Sequence, residues 1–250
     1  MTQVILSGCS GYMGRVLTEM IAAEPEMEIA AGIDVVRKDD LGYPVFTEPS
    51  ACDAAADVMI DFSNFRAVDG LLDFCVEKGL PLVLCTTGLS ETQLAKVKEA
   101  SGKIAILRSA NMSVGINLLM KLLKEAAAKL APAGFDMEIV EKHHNRKIDA
   151  PSGTAIALGE SMNEALDGAY HFVYDRSQRH EKRDAKEIGI SAVRGGTIVG
   201  EHEIIFAGQD EVITFTHTAY SRALFARGAV EAAKYLAGKP AGLYDMSQVV

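Results

Sequence analysis

The chain has 250 residues, enough to bury a large core as one domain or two modest ones. At 48% hydrophobic and 24% charged residues its composition excludes wholesale disorder, and no stretch reaches the roughly 20 apolar residues that span a bilayer. A formal net charge of −9 argues against nucleic acid and anionic membranes as partners and leaves a small molecule.

From the N-terminus, short β-branched runs alternate with amphipathic stretches. Strands are predicted at 4–7, 28–34, 58–62, 80–85 and 104–109, with helices at 15–23, 67–78 and 91–100 among them. Strands spaced by helices imply a parallel sheet with right-handed crossovers. Met1 leads straight into Val4-Ile5-Leu6 with no basic leader or cleavage site, which predicts a cytoplasmic protein. The four cysteines (Cys9, Cys52, Cys75, Cys85) form no CxxC pair and no zinc-like spacing. They read as buried small hydrophobes of a reducing compartment.

The pattern then changes. A long helix is predicted at 114–130, stopped by Pro132 and Gly134, then a strand at 137–142 and a helix at 154–166. The charged run 175–186 reads as a solvated loop. Strands at 188–194, 203–206 and 212–218 follow, the last two joined by a hairpin turn at Gly208-Gln209-Asp210. Consecutive strands without helices between them predict a second, α+β domain with a mostly antiparallel, mixed sheet. A final helix at 222–236 ends before Gly238 and Pro240.

The first strand runs into Gly8-Cys9-Ser10-Gly11-Tyr12-Met13-Gly14 and then a helix. Glycines here allow a tight turn and let backbone N–H groups approach a pyrophosphate at the helix N-terminus. A later glycine lets helix and strand pack closely. The run departs from G-x-G-x-x-G in having Cys9 at the first aligned position. Asp34 ends the second strand about 20 residues on, where a carboxylate would bind the adenosine ribose hydroxyls. Together these predict an α/β fold with a Rossmann-type doubly wound parallel sheet and a nicotinamide dinucleotide as cofactor. Asp34 favours NADH, whereas Arg37 and Lys38 suit the extra phosphate of NADPH, so both cofactors stay open. The loops Asp61-Phe62-Ser63 and Cys85-Thr86-Thr87-Gly88 sit at strand carboxyl ends, where such sheets bind ligands. Each is equally read as plain turn chemistry.

The most informative stretch is 141–155, Glu141-Lys142-His143-His144-Asn145-Arg146-Lys147-Ile148-Asp149-Ala150-Pro151-Ser152-Gly153-Thr154-Ala155. Two of the chain's 6 histidines are adjacent here, with Arg146 and Lys147 behind them. Pro151-Ser152-Gly153-Thr154 then opens a helix whose N–H groups make an anion site. Cations, hydroxyls and a helix N-terminus at one place describe a pocket for a carboxylate or phosphate, and a histidine beside it exchanges protons near neutral pH. The competing reading is a solvated charge run followed by a helix cap. Zinc is disfavoured, because adjacent histidines on a strand point to opposite faces, and no metal is expected.

The run His143-His144-x-x-Lys147-x-Asp149-Ala150-Pro151-Ser152-Gly153-Thr154-Ala155 resembles the signature of the dihydrodipicolinate reductase family. The resemblance extends to Gly8-x-x-Gly11-x-Met13-Gly14, to Cys85-Thr86-Thr87-Gly88 (with Cys85 where the family usually has glycine) and to Ser109-Ala110-Asn111-Met112-Ser113-x-Gly115. It continues through Arg194-x-Gly196, Gly200-Glu201-His202 and the run from His217 to Ala229, and so covers essentially the whole chain. It implies reduction of a cyclic dicarboxylate in the diaminopimelate–lysine pathway, with NADH or NADPH. It further implies His143 and Lys147 as proton-transfer residues, and His144, Lys147, Ser152, Gly153 and Thr154 as anchors of the substrate carboxylates. The cofactor would lie across Gly8, Cys9, Ser10, Gly11, Tyr12, Met13, Gly14, Asp34, Cys85, Thr86, Thr87, Ser109, Ala110, Asn111 and Met112. The implied domains are 1–114 with 222–250 for the dinucleotide, and 115–221 for substrate and for homotetramer assembly.

Two other functions compete. A different nicotinamide oxidoreductase of aspartate-derived metabolites explains the first domain but not the histidine–lysine run joined to Pro151-Ser152-Gly153-Thr154. A nicotinamide-binding sensor without turnover would carry a partner-binding module, and none is evident.

Overall fold

The computed structural model describes residues 1–37, 40–109 and 111–250; Lys38 and Ala110, both singled out from the sequence, lie outside the described residues. The chain divides into two compact units, Met1–Val114 with Ala223–Val250, and Gly115–Arg222. None of its helices is long and apolar enough to cross a membrane, among the described residues.

The first unit is built on a seven-stranded sheet. Its strands are β1 (Thr2–Ser7), β2 (Met27–Ile33), β3 (Val45–Phe46), β4 (Val58–Asp61), β5 (Leu82–Leu84), β6 (Ala105–Leu107) and β12 (Gly242–Tyr244). The order is β12-β6-β5-β4-β1-β2-β3 and every pairing is parallel. Strand order therefore reverses between β1 and β4, the switch point where doubly wound sheets bind ligands. Both faces are covered, so the strands read as continuous apolar runs rather than alternating ones. Val4, Leu6, Val58 and Ile60 face the helices α1 (Tyr12–Ala22) and α6 (Ala223–Leu236). Ile5, Met59, Leu82 and Leu84 face α2 (Val68–Lys78) and α3 (Glu91–Ser101). Each Ile or Leu fully buried there contributes about 1.5–3 kcal/mol. The C-terminal segment is integral to this unit, because α6 packs against α1 and three central strands while β12 extends the sheet beyond β6.

The second unit carries a five-stranded sheet in the order β11-β10-β7-β9-β8. Its strands are β7 (Asp136–His143), β8 (His171–Val173), β9 (Glu187–Arg194), β10 (Gly200–Ala207) and β11 (Val212–Ala219). The sheet is mixed, with β7–β10 and β10–β11 antiparallel but β7–β9 and β8–β9 parallel. The antiparallel and parallel pairings are thus equal in number. The parallel half arises because α5 (Gly153–Glu164) and the long connection after it return the chain to the same edge of β7. Along β7 burial alternates strictly, with Met137, Ile139, Glu141 and His143 facing in. The apolar members pack under α4 (Val114–Leu130) and α5, through Leu119, Leu123, Leu158 and Met162. The last two inward positions of the same strand are polar.

Three short strands, β3, β8 and β12, carry too few residues to show a period and are not apparent in the sequence. The predicted hairpin at 208–210 is present, closed by the Gly208 N–H donating to the Glu211 carbonyl at 2.9 Å. The run 175–186 is a loop but not merely a solvated one. Arg183 donates to Asp136 at 2.7 Å and to Glu138 at 3.0 Å, and Arg176 and Arg179 both bind the nearly buried carboxylate of Glu187. These arginines pull Glu187 below the usual carboxylate range, with Arg176 the main cause. All four cysteines are free; Cys9, Cys52 and Cys75 are buried and Cys85 is half-buried.

Candidate active site

In the first unit the residues at the switch point surround a cleft of about 490 Å³ lined by Ser7, Gly8, Gly11, Asp34, Ser63 and Arg66 among others. Gly8 has φ +78°, and a Cβ there would stand 2.5 Å from the Phe62 carbonyl oxygen. A Cβ on Gly14 would stand 2.3 Å from the Gly8 carbonyl oxygen. Only glycine lets the turn and α1 approach β1 and β4 this closely. Gly11 caps α1 without a side chain and the first turn holds no acidic residue, so its N–H dipoles remain suited to an anion. Asp34 lies at the cleft, its carboxylate accepting the Ser10 N–H at 2.9 Å and the Val36 N–H at 3.1 Å. A bare cradle, a helix N-terminus and a carboxylate at the end of β2 together fit a dinucleotide.

Beside the cleft, Asp61 is fully buried and accepts the Thr86 hydroxyl at 2.7 Å and the Ser63 N–H at 3.1 Å. Burial raises its pKa, against the opposing pull of those donors and Ser7. Thr86 therefore spends its hydroxyl inside the protein, and Thr87 is the exposed member of the pair. Asn111 turns back on its own segment, accepting the Ser113 N–H at 2.8 Å.

In the second unit the polar end of β7 forms a cluster centred on Glu141, which is completely buried. His143 Nδ1 lies 2.6 Å from Glu141 Oε2. Arg194 at the end of β9 donates from Nη1 to Oε2 at 2.8 Å and from Nη2 to Oε1 at 2.7 Å, a bidentate pair. The Ser152 N–H donates to Oε1 at 2.9 Å. Burial alone would raise the Glu141 pKa, but the hydrogen bonds from Arg194 and His143 outweigh it and hold the carboxyl below its ordinary value. Glu141 is ionised at neutral pH.

His202 on β10 is the register partner of Glu141 and is nearly buried. Its Nε2 lies 3.1 Å from Ser152 Oγ, and its ring stands edge-on to His143 at 5.2 Å between centroids. Burial, reinforced by the nearby His143, lowers its pKa to about 4, so it is a neutral ring at pH 7. His144 and His217 are also lowered, in both cases chiefly by burial.

The N-terminus of α5 is capped by Ser152, whose Oγ accepts the Ala155 N–H at 3.1 Å. Lys147 pairs with Asp149 at 2.9 Å, and the Asp149 carboxyl is lowered mainly by that lysine and in part by the Gly153 N–H. The anion-binding donors expected from the sequence are thus engaged by the chain's own Glu141, Asp149 and Ser152. Of these, Lys147 and the Gly153 N–H, held by the exposed Asp149, suit a ligand carboxylate.

Family models agree on both units. The N-terminal model of dihydrodipicolinate reductase matches residues 2–112, and the C-terminal model matches residues 115–250. Proteins named 4-hydroxy-tetrahydrodipicolinate reductase from Clostridium novyi (strain NT) and Caldanaerobacter subterraneus subsp. tengcongensis are 48% and 49% identical to this chain over 250 residues. They cover 100% of it and 98% of their own length.

The chain belongs to the dihydrodipicolinate reductase family.

Its relatives are reductases by name, and the doubly wound sheet is a fold that binds a nicotinamide cofactor. A solved dipicolinate-bound dihydrodipicolinate reductase from Paenisporosarcina sp. TG-14 shares that fold, with a TM-score of 0.83 at 24% identity over 100% of both chains. A diaminopimelate (DAP) dehydrogenase of C. glutamicum is more distant, with a TM-score of 0.56 at 14% identity over 100% of this chain and 94% of that one.

Within this reductase fold, the residues singled out from the sequence fall into two groups. Gly8–Gly14, Asp34, Cys85–Thr87, Ser109, Asn111 and Met112 belong to the first unit, and His143, His144, Lys147 and Ser152–Thr154 to the second. Glu141 and Arg194 were not among the site residues read from the sequence. Glu141 stands only two residues before His143, but its significance depends on Arg194, 53 residues away. The signal that would have found it is the alternation along β7, which puts a carboxylate where Met137 and Ile139 predict another apolar residue.

Proposed function

We propose that this chain reduces 4-hydroxy-tetrahydrodipicolinate to tetrahydrodipicolinate, with His143 as the proton-transfer residue and Lys147 as the neighbouring cation. The observation that carries this reading is a histidine held by an ionised carboxylate beside a lysine and the N-terminus of α5, in a chain that is otherwise acidic. Family membership supplies the reaction; the cluster supplies groups able to perform it. The two substrate carboxylates would be received by Lys147, His144 and the Ser152–Gly153–Thr154 turn, where Asp149 now holds the lysine and the Gly153 N–H. Substrate binding would exchange one carboxylate for another at these donors. His143 then gives its proton to the reduced ring, while Lys147 offsets negative charge and assists departure of the hydroxyl as water.

The cofactor would rest on Gly8–Gly14, with Asp34 on the adenosine ribose and the segments 85–87 and 109–112 towards the nicotinamide. When bound, it supplies the hydride. Asp34 at the cleft supports NADH, and Arg37 three residues on supports NADPH, so the reading is use of either cofactor. We place the enzyme in the cytoplasm and assemble it as a homotetramer, on family resemblance. β11 is an edge strand whose alternate residues Val212, Thr214, Thr216 and Thr218 are exposed, a surface suited to pairing with another copy.

The deciding experiment follows reduced nicotinamide by absorbance, with substrate generated from pyruvate, aspartate semialdehyde and a purified dihydrodipicolinate synthase. Oxidation that requires the synthase is the expected result, and the ratio of rates with NADH and NADPH reads the preference. Folded protein that binds a cofactor yet oxidises neither would sink the assignment.

A further inference from the structure

We propose that Glu141 is the positioning residue of the proton-transfer site, fixing His143 with a hydrogen on Nδ1 so that Nε2 is the nitrogen that exchanges the proton. The inference rests on the reading of His143 as proton donor and adds the residue and the ring atom through which it works.

An ionised carboxylate only accepts hydrogen bonds. Glu141 is met by Arg194 Nη1 and Nη2, by the Ser152 N–H and by His143 Nδ1, all within 2.6–2.9 Å. At 2.6 Å from such an oxygen, Nδ1 must carry a hydrogen. Nε2 then holds a lone pair in the neutral ring and a transferable proton in the imidazolium. Arg194 and Glu141 compensate each other, which keeps the carboxylate charged although it has no exposed surface.

Two further observations agree. Gly200 on β10 has no side chain, and a Cβ there would stand 3.2 Å from His143 Nε2. Glycine keeps a side chain off that edge of the ring. The same carboxylate also grips the N-cap residue of α5, so one buried group sets both the imidazole and the turn proposed to receive the substrate carboxylate. The charged and titratable groups near His143 include Glu141 on its own strand, Arg194 on β9 and His202 on β10, which is neutral at pH 7, with His144 and the Lys147–Asp149 pair following it in the chain.

The test combines a spectroscopic reading of the wild-type protein with a conservative variant. In ¹⁵N-labelled full-length protein at a pH where His143 is neutral, imidazole nitrogen shifts should show Nδ1 protonated and Nε2 with a lone pair. A protonated Nε2 in that state overturns the proposal, whatever any variant does. In Glu141→Gln the side-chain amide can donate to Nδ1 and favour the opposite tautomer. Turnover should then fall on the order of 10²–10⁴-fold, the upper end being the loss when the aspartate behind a serine-protease histidine becomes an amide. Substrate KM and cofactor affinity should stay within about threefold, since the Gln amide oxygen still accepts the Ser152 N–H and the cofactor cleft is untouched. A folded Glu141→Gln protein with turnover within threefold of wild type overturns the proposal. If the variant does not fold, the wild-type tautomer alone decides. His143→Ala separates the two levels of the argument: full turnover without His143 would remove the functional reading itself, whereas a dead His143→Ala beside an active Glu141→Gln removes only the positioning role.

Discussion

His202 illustrates how a single buried ring couples this fold to pH. Its pKa is about 4 in the folded chain against 6.5 for the free side chain, because burial, and then the field of His143, disfavour the imidazolium. Between those values the unfolded chain binds the extra proton, so the stabilisation is complete above pH 6.5 and is lost as pH falls towards 4. The loss amounts to roughly 3 kcal/mol for this residue, and the lowered His144 and His217 act in the same direction. Urea midpoints measured at pH 7 and 4.5 should drop less for His202→Asn than for wild type, and equal drops would refute the assignment. At Asp149 the expectation concerns binding. Asp149→Asn removes the negative charge that now pairs with Lys147, so substrate KM should fall severalfold with kcat little changed. A raised KM would mean that Asp149 orients the lysine instead of competing for it.

Elements are held in place here by close approaches as much as by apolar area. α6 passes so near Met112 that a Cβ on Gly228 would stand 1.6 Å from the Met112 carbonyl oxygen, a contact relieved only by moving backbone. Gly228→Ala should therefore displace α6 from the first unit, lower the melting temperature by several degrees and weaken cofactor binding. A differential scanning experiment with and without NADH reads both effects, and an unshifted transition would show that α6 yields freely. The loop before β9 is held differently. Arg176, Arg179 and Arg183 reach three acidic side chains, Asp136, Glu138 and Glu187, on the two neighbouring strands β7 and β9. Gly189 makes room for that network, because a Cβ there would overlap the Glu138 carboxylate. Such partly buried arginine–carboxylate contacts have better geometry than the exposed pair Lys103–Glu99, which contributes little.

For the whole molecule, the division into two units separates the proposed tasks. The candidate cofactor residues all lie in Met1–Val114, and the candidate proton-transfer and carboxylate-binding residues all lie in Gly115–Arg222. Binding of cofactor and chemistry on substrate should therefore respond to different substitutions. His143→Ala and Lys147→Ala are each expected to reduce turnover on the order of 10²-fold or more, while the NADH dissociation constant stays within about twofold. Fluorescence titration of the cofactor beside steady-state kinetics makes the comparison. Parallel loss of both quantities would contradict the division of labour. The second unit is one continuous segment, whereas the first is completed only when 223–250 returns to it. Truncation before α6 should therefore expose Val4, Leu6 and Ile60 and unfold the first unit.

The sequence by itself determined the parallel sheet, because β4, β5 and their neighbours are apolar runs separated by helix-period stretches, and both kinds of pattern are local. It also determined the glycine turn with Asp34 and the run from His143 to Thr154, since each carries its chemistry within a short span or at a fixed spacing. The short strands β3, β8 and β12 exist only through pairing with longer neighbours, and propensity over two or three residues cannot announce them. The parallel pairing of β7 with β9 was likewise a tertiary decision. So was the cluster around Glu141, where donors from residues 2, 11 and 53 positions away meet one carboxylate. That meeting is set by sheet register and by the start of α5. Register is fixed by which faces bury apolar area along whole strands, a quantity that no single stretch of residues contains.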